Sequence, residues 1–94
     1  MRNTTSVISA EREEAVESRG SIKFHQMSDS MYKVYFQNGV ELGDLVCKED
    51  GYFSFWPYLR AGCWDAYVLR DISNLLDEIN APWEKIVNTQ LALL

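Results

Sequence analysis

The chain predicts an α+β fold, an antiparallel four-stranded β-meander packed on one face by a C-terminal helix. A marginal N-terminal helix or flexible tail over residues 1 to 20 precedes this single domain, which spans residues 21 to 94. Three observations carry the prediction. From Ser21 the apolar residues recur with period two through four short runs. The turn signals Ser28-Asp29-Ser30, Asn38-Gly39 and Asp50-Gly51 separate those runs. After Asp65 the apolar period shifts to that of a helix. The size agrees, since 94 residues bury roughly 60 to 70% of their unfolded surface, enough for one modest core. An apolar fraction of 47% and a charged fraction of 24% exclude the disordered and collagen-like classes.

Residues 1 to 20 differ from the rest. Ser9, Arg12 and Glu13 resemble a helix start only loosely, Ile8, Ala15 and Val16 form a thin apolar stripe, and Gly20 reads as a stop. In the first strand Ile22, Phe24 and Gln26 share one face, with Lys23, His25 and Met27 on the other. In the second, Tyr32, Val34 and Phe36 alternate with Lys33 and Tyr35, leading into Asn38-Gly39, a two-residue hairpin signal in which both turn positions need positive φ. The third runs from Val40 to Cys47, with Gly43 marking a bulge or bend. The fourth covers residues 52 to 56 and is ended by Pro57.

Asp65 is the expected N-cap of the helix, and Val68, Leu69, Ile72, Leu75, Leu76 and Ile79 recur at helical spacing behind it. Arg70, Asp71, Ser73, Asn74, Asp77 and Glu78 fill the opposite face. Asn80 is expected to end this helix, and Pro82 to open a second, shorter one bearing Trp83, Ile86, Val87 and Leu91. The predicted core is Ile22, Phe24, Val34, Phe36, Leu42, Phe53, Phe55, Leu69, Ile72, Leu76 and Ile79.

Nine basic and fourteen acidic residues give a net charge of -5 and a pI near 4.7. That balance opposes direct nucleic-acid binding, which depends on phosphate neutralisation, and suits docking on a basic protein surface. The two cysteines, Cys47 and Cys63, form no metal or disulfide framework. No secretory signal and no run of ~20 apolar residues is present, so the expectation is a soluble cytoplasmic protein.

Chemistry-bearing motifs are sparse. His25 is the only histidine, which leaves at best a Cys63 nucleophile with His25 as base; the plainer reading is a partly buried thiol and a strand histidine. Glu49/Asp50 and Asp77/Glu78 lack the further oxygen ligands that a hard cation needs. No enzyme activity, cofactor or metal is predicted.

The most distinctive stretch is residues 50 to 64, with six aromatic side chains in fifteen positions. If Phe53 and Phe55 face the helix, then Tyr52, Ser54 and Trp56 face away, on the side of Tyr35. The expected partner site is Tyr35, Tyr52, Trp56 and Tyr58 with Glu49, Asp50 and Arg60. In the alternative reading a terminal segment folds over this face, with Trp83 and Leu91-Ala92-Leu93-Leu94 filling it. A homodimer formed through the same face satisfies both.

Gly43-Asp44-Leu45, Asp50-Gly51-Tyr52, Phe55-Trp56-Pro57, Gly62-x-Trp64, Leu69-Arg70-Asp71-Ile72 and the run from Leu76 through Asn80-Ala81-Pro82-Trp83 together form one composite pattern. Over residues 43 to 84 it resembles small accessory proteins of tailed bacteriophages. The resemblance implies a non-enzymatic factor that binds and inhibits or redirects a host protein, including components of defence systems, and it defines no active-site residues. A protein of a different class, binding a nucleotide-like small molecule in an aromatic pocket between subunits, is the alternative expectation.

Overall fold

The computed structural model describes residues 16–58 and 64–93. Five strands form one antiparallel sheet in sequential order: β1 (Glu17–Arg19), β2 (Ile22–Ser28), β3 (Met31–Phe36), β4 (Glu41–Cys47) and β5 (Phe53–Pro57). Among the described residues one helix, α1 (Ala66–Ala92), packs across the sheet. The α+β class and the C-terminal helix agree with the sequence. The four-strand count is one short.

The extra strand, β1, lies at the end of the segment read as a marginal helix or tail, of which residues 1 to 15 lie outside the described residues. Gly20 is not a helix stop. It carries φ +64° in a two-residue link that sets Arg19 opposite Ile22, and this left-handed position is open to glycine at little cost. The helix secures the link: the Asp71 carboxylate accepts both the Ser21 N–H at 2.8 Å and the Ser21 hydroxyl at 2.6 Å. Arg19 reaches from β1 to Glu78 through a pair of bonds of 2.9 and 2.8 Å, with its guanidinium over the Phe24 ring. Asp71 and Glu78, expected on the solvent face, therefore hold one edge of the sheet.

Both hairpins on the other side use three-residue loops. Around Asn38-Gly39, Phe36 N–H pairs with the Val40 carbonyl and Gly39 N–H with the Phe36 carbonyl, while the Asn38 side chain accepts from Val40 N–H. Around Asp50-Gly51 the same three bonds link Lys48, Gly51, Tyr52 and Asp50. Only the glycine of each turn has positive φ. The expected two-residue turn with both positions left-handed is thus replaced by a type I turn closed by a glycine bulge, because Asn38 is spent on an Asx bond to Val40.

Gly43 does mark a bulge. The register slips there, with Val34 opposite Gly43 and Tyr35 opposite Glu41, so Leu42 and Leu45, at odd spacing, both reach the core. A side chain at Gly43 would collide with the backbone of Trp56 and Pro57.

The core consists of Ile22, Phe24, Val34, Leu42 and Leu45 from the sheet and Val68, Ile72 and Leu75 from α1. Phe36, Phe53, Phe55, Leu76 and Ile79 pack around it half-buried, joined by Tyr32 and Trp64. Leu69 was expected inside and is 48% exposed, because the buried line runs through Val68, Ile72 and Leu75 and leaves Leu69 on its flank. Asp65 sits at the N-cap with extended backbone and no side-chain cap bond.

The break expected at Asn80 and Pro82 is absent, and α1 continues through Pro82. Asn80 is engaged elsewhere: its side-chain amide bonds both backbone groups of Phe53. One turn on, the Trp83 indole donates to the Asp50 carbonyl at 2.9 Å and lies against Gly51. These anchors on either side of Pro82 hold the helix against the β4–β5 hairpin, offsetting the backbone bond that proline removes.

Candidate functional site

The face of the sheet opposite α1 is built by alternation. With Phe24, Val34, Leu45 and Phe55 turned to the core, the residues between them project outward. The register aligns His25, Lys33, Asp44 and Trp56 in one row across β2, β3, β4 and β5. A second row holds Lys23, Tyr35 and Glu41, and a third holds Met31, Val46 and Ser54.

Trp56 is the prominent side chain of this face. It is 57% exposed, yet fixed, since its indole N–H donates to Ser54 Oγ at 3.1 Å. Tyr58 lies beside the same row, its hydroxyl donating to the Asp44 carboxylate at 2.8 Å. Tyr35 stacks on His25 with ring centroids 5.5 Å apart and planes 17° from parallel. Lys33 bonds Glu41 at 3.2 Å. The face thus presents amphipathic rings, of which Trp56 and Tyr58 have their polar ends already bonded.

Its electrostatics follow from burial and neighbours. Burial pushes the Tyr35 hydroxyl above the ordinary tyrosine value, and burial together with the Asp44 bond does the same for Tyr58. Both remain neutral hydrogen-bonding groups at physiological pH. The Tyr52 N–H holds the Asp50 carboxyl below its ordinary value, helped by Lys48 at 3.5 Å.

Beside Trp56 the face opens into a groove of about 570 Å³ lined by Val46, Cys47, Lys48, Glu49, Asp50 and Trp56. The structure thus brings together three of the expected residues, Trp56, Glu49 and Asp50, and places Tyr35 and Tyr58 on the same side of the sheet. Tyr52 departs from the expectation: the Glu84 carboxylate of α1 is its main electrostatic neighbour and raises its pKa, which sets the ring on the helix side. Arg60 lies outside the described residues, as does Cys63. Trp83 is committed to the Gly51 turn and Leu91 and Leu93 are exposed, so none of these three covers the outer face.

Asp44, Val46 and Lys48 were not singled out from the sequence, although a signal existed. Once the Asp50-Gly51 loop sets Lys48 opposite Tyr52, Asp44 must fall opposite Trp56 and Val46 opposite Ser54. For chemistry the face offers less. His25 is stacked on Tyr35, and among the described residues no group of three His, Cys, Asp or Glu side chains is placed to hold a metal ion. No described helix is long and apolar enough to cross a membrane. Comparison with family models, curated proteins and solved structures finds no match to this chain.

Proposed function

We propose that this protein is a non-enzymatic interaction module whose outer sheet face, anchored on Trp56, binds a partner protein. The phage-type resemblance implies the kind of partner, a host protein that is inhibited or redirected by the contact. One observation carries the reading. A tryptophan near the end of an edge strand stands more than half exposed, 57%, and is held in one orientation by Ser54. Tryptophan is the residue type most enriched at the energetic centre of protein interfaces, and a ring fixed in advance loses little freedom when a partner covers it.

The surroundings support the same use. Val46 beside the indole offers an apolar floor, while Asp44, Glu49 and Asp50 supply carboxylates around it. In a chain of net charge -5 this arrangement favours encounter with a basic protein surface.

The test is affinity capture from host-cell lysate with the wild-type chain and with Trp56→Ala. A single stoichiometric partner is expected with the wild type. The variant, with an unchanged melting temperature, is expected to lose about 2 kcal/mol or more of binding. Equal affinity of the two proteins for that partner removes Trp56 from the site, and absence of any partner speaks against the reading.

A further inference from the structure

α1 outruns the sheet that it covers. Its 27 residues span about 40 Å, whereas the strands, three to seven residues long, span roughly 10 to 24 Å. Beyond Asn80 no helix residue is buried and only Val87 is half-buried. The stripe that carries the core nevertheless continues. Ile79, Trp83, Ile86, Gln90 and Leu93 follow one another at alternating spacings of four and three residues, the repeat of a helix–helix seam. Ile86 is 51% exposed and Leu93 77%, with Leu91 at 61% on the flank.

We infer that this overhang is a self-association surface on which a second copy of the chain docks antiparallel, about a two-fold axis close to Gln90. Charge selects the copy over another partner. Residues 86 to 93 contain no charged side chain, in a chain whose net charge is -5. Two such chains repel where their acidic surfaces meet, so neutral surface is where they approach at least electrostatic cost. A basic partner gains nothing there and is drawn to the carboxylates instead.

Gln90 supplies the second argument. A carboxamide carries donors and an acceptor, so two copies related by a two-fold axis satisfy each other. A single polar residue within an apolar seam also fixes its register. The antiparallel arrangement sets Ile86 of each copy against Leu93 of the other and keeps the two acidic sheets at opposite ends. A contact made by about two turns of helix from each copy is expected to fall below the ~800 Å² per partner of standard interfaces. Association is therefore expected only at roughly micromolar concentrations and above.

Sedimentation velocity of the full chain over roughly 1 to 500 μM tests this. The mass is expected to rise from monomer to dimer with concentration. Ile86→Glu should abolish the rise while leaving the circular dichroism spectrum and melting temperature unchanged, since Ile86 lies beyond the core. Gln90→Glu and Gln90→Lys should each weaken the dimer about tenfold or more, and an equimolar mixture of the two should restore it. Trp56→Ala should dimerise like the wild type, which separates this surface from the sheet face. A wild-type chain that stays monomeric at the highest concentration overturns the inference. A dimer that survives Ile86→Glu or dissolves on Trp56→Ala overturns it too, and a mixture that fails to recover overturns the two-fold register at Gln90.

Discussion

The side chain of Asn80 replaces the neighbour that β5 lacks. Its amide oxygen accepts the Phe53 N–H at 2.7 Å and its amide nitrogen donates to the Phe53 carbonyl at 3.1 Å, the bonds a further strand would have made. Pro57, later in the same strand, brings no N–H to that edge. Asn80→Ala leaves both Phe53 groups without this partner and should destabilise the fold by about 1 to 3 kcal/mol, read as a lower urea midpoint at unchanged slope. A midpoint equal to the wild type would show that water replaces the amide at no cost. Gly51 is the other residue at which one atom decides the outcome. It combines φ +89° with the Trp83 ring packed against its Cα. Gly51→Ala should therefore cost more than the ~1 to 2 kcal/mol of a left-handed alanine alone, and Trp83→Ala should reduce that penalty. Neither role is legible in the sequence, where Asn80 before Pro82 reads as a helix end and Gly51 as an ordinary turn residue. The competing bond to Phe53 exists only once the hairpin lies beside the helix.

At the level of elements, the sequence shows what depends on period and conceals what depends on docking. Four strands, the bulge at Gly43 and the apolar stripe of α1 follow from local pattern, because each is set by neighbours in the chain. β1 does not, since Glu17, Ser18 and Arg19 carry no alternation; the strand is held by pairing with β2 and by Arg19 and Ser21 bonding to Glu78 and Asp71. These carboxylates make the docking of β1 sensitive to acid. The Ser21 bonds hold Asp71 below its ordinary pKa, and the Arg19 bond does so for Glu78. The folded state thus binds fewer protons than the unfolded one in the acid range. Their contribution is complete above the ordinary carboxylate values of ~3.9 and ~4.3, and it is lost as pH falls through the lowered folded values. Melting temperature measured from neutral pH downward should therefore fall less steeply in Asp71→Asn than in the wild type. Parallel curves would mean that the Ser21 bonds contribute nothing to this dependence.

At the scale of the whole molecule, α1 divides the labour of the surface. Its inner stripe closes the core, Asp71 and Glu78 hold the β1 edge, and Asn80 and Trp83 hold the β5 edge. The opposite face of the sheet is left to Trp56, Tyr58, Tyr35 and the groove beside them. That face was legible from alternation alone for Tyr35 and Trp56. Alternation extended to Tyr52 fails because Tyr52 precedes β5, where the turn rather than the pleat directs its side chain toward Glu84. Contact between this face and a partner is read out by hydroxyl-radical footprinting of the chain alone and in complex with a captured partner. Oxidation of Trp56 and Tyr58 should fall on complex formation while that of Leu91 and Leu93 should not. Unchanged oxidation of Trp56 in the complex would contradict it.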